Sequence, residues 1–152
     1  MANTTSSRPA PSCPINSALT PICTSSFTPG CNAAKRPLWE IAQHSFAEAE
    51  IAALRGLTPD DLCDRFYDCW TLKKAYLKAR GLGLRLPLDQ FAILFSGPAI
   101  GISFTREIDD DPKRWHFTRH SPSPRHRLAI ADGSGTPGGL PITMRPWPVP
   151  LV

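Results

Sequence analysis

Thr58-Pro59-Asp60-Asp61 at one end and Gly81-Leu82-Gly83 at the other bracket the stretch that most restricts how this chain can fold. Threonine accepts a hydrogen bond from first-turn amides, proline's fixed φ suits the first turn, and two acids face the positive end of the helix dipole. Glycine after Arg80 supplies a stop. Leu62, Phe66, Cys69, Trp70, Tyr76 and Leu77 form an inward stripe between these signals, so the spacing predicts one helix of about six turns at 3.6 residues each. Everything else must be arranged around it.

Upstream, Pro37 opens a short helix carrying Leu38, Ile41 and Ala42. Ser45 and Glu48 have the S-x-x-E spacing of a capping box, which restarts a second helix with Ile51, Ala52 and Leu54 inward and Gly56 as its stop. Downstream the period changes. Phe91 to Phe95 and Ile100 to Phe104 flank Ser96-Gly97-Pro98 and read as a hairpin. Trp115 and Phe117 alternate with polar neighbours, Ser121 to Pro124 turn again, and Leu128 to Ala131 make a last strand. The expected fold class is α+β: two short helices and one long helix packed on an antiparallel meander sheet, with irregular termini.

Composition sets the domain limits. Of 17 prolines in 152 residues, six fall in 1–37, six in 38–132 and five in 133–152, the last segment also holding four glycines. Residues 1–37 read as a disordered Ser/Thr/Pro-rich leader, 38–132 as the folded lobe and 133–152 as an irregular Gly/Pro-rich tail. Five cysteines, three of them in the head, suggest no even disulfide framework. With no apolar run long enough to span a bilayer and no secretory signal, the expectation is a soluble, cytoplasmic protein without a membrane partner.

The net charge of +4 is concentrated in the head, where Arg8, Lys35 and Arg36 meet no acid. The folded part is nearly neutral, which argues against general nucleic-acid binding. Lys73, Lys74, Lys78, Arg80 and Arg85 form an acid-free cluster at the end of the long helix. Dipole compensation is one explanation of such a cluster. A phosphate site is the other, since lysine ammonium groups act as point charges for phosphoryl oxygens. No aromatic platform is interleaved with these bases, so a single-stranded nucleic-acid groove is not indicated. Asp109-Asp110-Asp111 reads as a solvated turn before Pro112. His116, His120 and His126 read as surface residues, and Cys63 and Cys69 as small core residues.

The wording of residues 66–91, FYDCWTLKKAYLKARGLGLRLPLDQF, resembles the W-x-x-K-E-A-x-x-K signature of the 4′-phosphopantetheinyl transferases through Trp70, Lys73, Ala75 and Lys78. Residues 44–62, HSFAEAEIAALRGLTPDDL, resemble that family's F-(S/A)-x-x-E segment and its connection into the long helix. The WHF and HRLAIA strands extend the similarity, so it covers about residues 38–132 and fits the carboxyl-terminal lobe of the two-lobed, surfactin-synthetase-activating type. The resemblance implies transfer of the phosphopantetheine arm of coenzyme A to a serine of an acyl- or peptidyl-carrier protein, with 3′,5′-ADP leaving and magnesium assisting. It assigns Lys73 a catalytic role and Lys73 and Lys78 contacts to the coenzyme's phosphates, while Trp70 reads as core packing.

The sequence departs from the family at two points. Lys74 stands where the family has a metal-binding glutamate, and a protonated lysine has three donors and no lone pair for magnesium. The family's aspartate-x-glutamate pair has no counterpart, because residues 1–39 contain no acid. No metal ligand is therefore assigned in this chain. A truncated or degenerate homologue, or a displaced gene start, would produce this pattern, and a second lobe or second copy would be the expected partner. The alternative function is a catalytically silent module that binds coenzyme A or a carrier protein.

Overall fold

A computed structural model describes residues 22–27, 37–123 and 126–143. Strand β1 is Ile22–Phe27; helices α1, α2 and α3 are Leu38–Ser45, Glu48–Leu54 and Pro59–Arg80; strands β2 to β5 are Phe91–Ser96, Ala99–Phe104, His116–Ser123 and His126–Asp132. Single 3-10 turns occupy Gly83–Arg85, Leu88–Gln90 and Pro112–Arg114. The architecture is the expected α+β arrangement.

Local chemistry fixes the long helix as anticipated. Thr58 caps α3 by accepting from the Asp61 amide at 3.3 Å, and Gly81 ends it at φ 67°, a conformation that is cheap for glycine. The second helix starts two residues later than the Ser45–Glu48 spacing suggests. Phe46 turns extended and buried, Ala47 takes the cap position, and the Glu50 carboxylate accepts from the Ala47 amide at 3.0 Å. Alanine has no side-chain oxygen, so only half of a capping box exists here.

The strands form two sheets rather than one meander. β2 and β3 make a hairpin, and β1, β5 and β4 make a three-stranded antiparallel sheet with β5 central. β1 lies inside the stretch read as a leader; the remaining head residues fall outside those described. Pairing between β4 and β5 slips between His120 and Ser123, around Pro122, which has no N–H to give to a ladder. The described part of the tail is irregular but tied down. Asp132 accepts from the Ser134 amide at 2.8 Å and the Leu140 amide at 2.8 Å, and Arg114 donates to the Gly133 carbonyl.

α3 runs across β1 and β5 while α1, α2 and β2 cover its other side. Its buried residues therefore run around the helix and include Cys63, Tyr67, Leu72 and Ala75 as well as Phe66 and Leu77, while Leu62 and Trp70 are only half-buried. One apolar cluster joins Leu72, Tyr76, Phe91, Ile102, Trp115 and Ala131 between α3 and the sheets. A second gathers Leu38, Phe46, Ile51, Leu54 and Phe66 under the short helices, and Phe95 touches both. Cys63 is buried in the second cluster, as expected of a small core residue, and it is disulfide-bonded, which the reading of no disulfide framework did not anticipate.

Candidate functional site

The two stretches that carry the family resemblance meet inside the protein. Glu50 is the acid of Phe46-Ala47-Glu48-Ala49-Glu50 at the start of α2, and Lys73 is the first lysine after Trp70 on α3. Their side chains form an ion pair at 2.7 Å, with 1% and 0% of each exposed. The Lys73 ammonium also donates to the Leu88 carbonyl at 2.7 Å and to the Phe91 carbonyl. An ammonium has three protons, and all three are used. Glu50 in turn accepts from the Ile93 amide at 2.9 Å as well as from Ala47. One carboxylate and one ammonium thus join α2, α3 and the entry to β2.

Electrostatics around the pair follow from this burial. Loss of water pushes the Lys73 ammonium below its usual range, and the charge and hydrogen bond of Glu50 oppose that shift. The Cys69 thiol is pushed up to about 12, first by burial and then by the charge of Glu50. The ring of Phe91 lies 4.2 Å from the Lys73 ammonium and closes the apolar side of the site.

The acid-free cluster of the sequence divides into three environments. Lys73 points inward to Glu50, whereas the expectation for it was an ammonium facing the coenzyme's phosphates. Arg80 pairs with Asp110, which also accepts from Tyr76 Oη at 3.0 Å and Trp115 Nε1 at 2.9 Å. The Asp110 side chain is 2% exposed, so this aspartate is a buried hub rather than part of a solvated turn. Burial raises its pKa, but hydrogen bonds from Arg80, Tyr76 and Trp115 outweigh that and hold it below the usual carboxylate range. Lys78 and Arg85 are exposed, and Lys74 is half-buried with its ammonium 5.1 Å from the Trp70 ring. Every position from Thr71 to Ala79 except Lys74 and Lys78 is buried.

Glu50, Asp68, Asp110 and Asp132 are the buried acids of the described residues; each has a partner, and Asp68 keeps one buried oxygen, Oδ1, without a hydrogen bond. Asp68 pairs with Arg119 and lies 3.5 Å from Arg127, which also reaches Asp64 at 2.6 Å. Burial pushes the Asp68 carboxyl up against the opposing pull of both arginines. Among the described residues no three His, Cys, Asp or Glu side chains gather to hold a metal. His126 shares a hydrogen bond with Ser123, and His120 has a buried Nε2 with no partner. Magnesium needs several oxygen ligands in a tight octahedron. Lys74, which follows Lys73 in the signature, offers no lone pair to magnesium when protonated, and no group of three metal-ligating side chains forms among the described residues.

Sequence reasoning found Glu50 only as a motif letter and did not see its role. The signal available was an acid conspicuous in an otherwise apolar helix face, but its partner lies 23 positions away by residue number, beyond any periodicity. Asp110 was equally hidden. No helix among the described residues is long and apolar enough to cross a membrane.

The chain is similar in sequence and in fold to known proteins. The chain is 29% identical over 92 residues to the 4′-phosphopantetheinyl transferase Sfp of Bacillus subtilis (strain 168), covering 60% of this chain and 39% of that protein. It is 34% identical over 88 residues to the L-aminoadipate-semialdehyde dehydrogenase-phosphopantetheinyl transferase of Saccharomyces cerevisiae, covering 57% and 32%. The chain thus spans about two fifths or less of these relatives. A holo-(acyl-carrier-protein) synthase from Bacillus anthracis, solved in complex with CoA (3′,5′-ADP), shares the fold with a TM-score of 0.58 at 16% identity, over 74% of this chain and 94% of that one. Residues 30–131 match the sequence model of the ACPS family. The chain belongs to the 4′-phosphopantetheinyl transferase superfamily.

Proposed function

We propose that this chain acts in transfer of the 4′-phosphopantetheine arm from coenzyme A to the serine hydroxyl of a carrier protein. The serine oxygen forms a bond to the phosphorus bearing the pantetheine arm, the bond from that phosphorus to the departing 3′,5′-ADP breaks, and the hydroxyl proton passes to bulk water. Cations beside the diphosphate favour this reaction because negative charge builds on the leaving group. The observation that carries the reading is the match of residues 30–131 to the family's sequence model, which spans both stretches joined by the Glu50–Lys73 pair.

In this reading Lys78 contacts the coenzyme's phosphates from the open strip of α3. Lys73 is a positioning residue: its ammonium is fully buried, and it fixes the helix that presents Lys74 and Lys78. The test is mass spectrometry of an apo carrier protein incubated with this chain and coenzyme A, with and without magnesium. A phosphopantetheine adduct supports transfer, and its absence at enzyme concentrations equal to the carrier refutes independent catalysis.

A second reading has a specific observation behind it. With Lys74 where the family's metal ligand is expected and no cluster of three metal-ligating side chains among the described residues, the chain would bind coenzyme A or a carrier protein without performing the transfer. Binding of coenzyme A with no adduct under any condition is the outcome it requires.

A further inference from the structure

We propose that the cavity between α2, α3 and β2 binds a small amphipathic monocarboxylate, its charge on the Arg65 guanidinium and its aliphatic or aryl part against apolar walls. The cavity holds about 280 Å³, room for about nine atoms of water size. Ala53 of α2, Leu57 of the connection into α3, and Ile93, Leu94 and Phe95 of β2 form the walls. Leu57 and Leu94 are two of the three large apolar side chains left exposed among the described residues, so the mouth of the cavity is apolar as well. Arg65 and Lys74 are nine residues apart, as are Cys69 and Lys78, and nine residues make two and a half helical turns. Arg65 and Cys69, which line the cavity, therefore lie on the face of α3 opposite those lysines.

Three polar side chains reach the cavity, and only one is both charged and unpaired. The Glu50 carboxylate accepts from Lys73, the Ala47 amide and the Ile93 amide. Burial pushes the Cys69 thiol up to about 12, so it is neutral at ordinary pH. Arg65 makes no ion pair or hydrogen bond among the described residues, and its guanidinium lies 4.2 Å from the centroid of the Phe95 ring. Asp68, three positions on, feels the charge of Arg65 but is itself paired with Arg119. Contact with Phe95 holds a planar cation whose N–H groups point outward in its plane, the arrangement that a carboxylate accepts as a fork. One half-buried cation in an apolar surround selects a single negative charge. A phosphate dianion would give up hydration that one arginine cannot replace, and an ammonium would be repelled. Arg65 and the walls are not among the residues placed against coenzyme A above, so either reading can fail alone.

The experiment is NMR titration of the isotope-labelled full chain with hexanoate, butyrate, hexan-1-ol and hexylamine, using the natural sequence, Arg65→Gln, Arg65→Lys and Ala53→Phe. Arg65 is half-buried and Ala53 exposed, and melting temperatures verify that each variant is folded. Hexanoate should shift the Leu57 and Leu94 amides in a saturable manner. Butyrate should bind about tenfold more weakly, since each methylene taken from water is worth a factor of about four. Hexan-1-ol should bind about tenfold more weakly than hexanoate, and hexylamine should not bind. Arg65→Gln should bring hexanoate down to the level of hexan-1-ol, and Arg65→Lys should keep part of the preference. Ala53→Phe fills the cavity from an exposed position and should abolish binding, which tests the site independently of any Arg65 variant that fails to fold. Hexanoate not binding the natural chain, hexan-1-ol binding it equally well, unchanged hexanoate binding in Arg65→Gln or Ala53→Phe, or shifts confined to Lys74 and Lys78 would each overturn the proposal. Coenzyme A is absent from every sample, so none of these results bears on transfer.

Discussion

Removing the Glu50 carboxylate should cost the fold more than any single substitution on the surface of α3. Glu50 accepts from Lys73 at 2.7 Å, from the Ala47 amide at 3.0 Å and from the Ile93 amide at 2.9 Å, with no contact to water. Taking one partner from a buried ion pair costs about 3–5 kcal/mol, because the other charge is left in a low-dielectric site. A domain of this size has a total stability of about 5–15 kcal/mol, so Glu50→Ala should remove a large fraction of it. Lys73→Met should cost about 3 kcal/mol, somewhat less, since Glu50 keeps two amide donors. Glu50→Ala with Lys73→Met removes both charges and should recover part of the loss, giving a coupling energy of about 2 kcal/mol. Urea unfolding of the four proteins of this cycle measures it, with Glu50→Gln in place of the aliphatic change where that chain does not fold.

The pair also predicts a pH dependence with a definite sign. Burial lowers the Lys73 pKa from 10.5, so between the lowered value and 10.5 the folded chain binds fewer protons than the unfolded one. Stability attributable to Lys73 therefore rises with pH across that window. Glu50 opposes the lowering, so in Glu50→Gln the rise should begin at a lower pH and be larger. A coupling below about 0.5 kcal/mol, or the same alkaline slope in the natural chain and Glu50→Gln, would show that the pair does not behave as a buried unit.

Three further outcomes can be measured on the same protein. Cys69 is 2% exposed with its thiol pushed up to about 12, so iodoacetamide at mildly alkaline pH should modify it slowly until urea unfolds the chain, and prompt native labelling mapped to Cys69 would contradict the burial. Asp110→Asn should cost about 2–4 kcal/mol, as it weakens charge-assisted bonds from Arg80, Tyr76 and Trp115. Because the Asp110 pKa is lowered from 3.8, its contribution is complete above that value and is lost as pH falls through the lowered one; acid unfolding of the Asn variant should be flatter there. Gly133→Ala places a methyl group 2.8 Å from Trp115 ring carbons and should lower stability by about 1–3 kcal/mol, whereas an unchanged melting temperature would mean that the ring moves freely.

The parts of the fold visible in the sequence are those governed by neighbours along the chain. Thr58, Pro59, Asp60, Asp61 and Gly81 specify the ends of α3 by cap and dipole chemistry alone, and Ser96-Gly97-Pro98 specifies the hairpin. The inward stripe of α3 was incomplete because stripe reasoning assumes one covered face. α3 is covered by β1 and β5 on one side and by the short helices and β2 on another, so Cys63, Tyr67, Lys73 and Ala75 are buried off the expected line. β1 escaped notice because a strand pairs through backbone groups, and a Ser/Thr-rich segment supplies these without a strong apolar pattern.

The same distinction separates architecture from chemistry in the family signature. A run of bases without local acids looks like an anion site only while distant acids are ignored; Glu50 and Asp110 neutralise Lys73 and Arg80 across 23 and 30 residue positions. Retention of Phe46, Glu50, Trp70 and Lys73 is therefore expected of any chain that keeps this packing, whether or not it transfers anything, since losing either member of the ion pair would cost several times the thermal energy. Lys74 and Lys78 differ in kind. Their side chains reach solvent, and like charges at their spacing repel. Substitutions at these two positions that spare the fold but abolish coenzyme A binding would locate the chemistry on the open strip of α3, and substitutions that spare both would leave the signature as a device for holding α2 against α3.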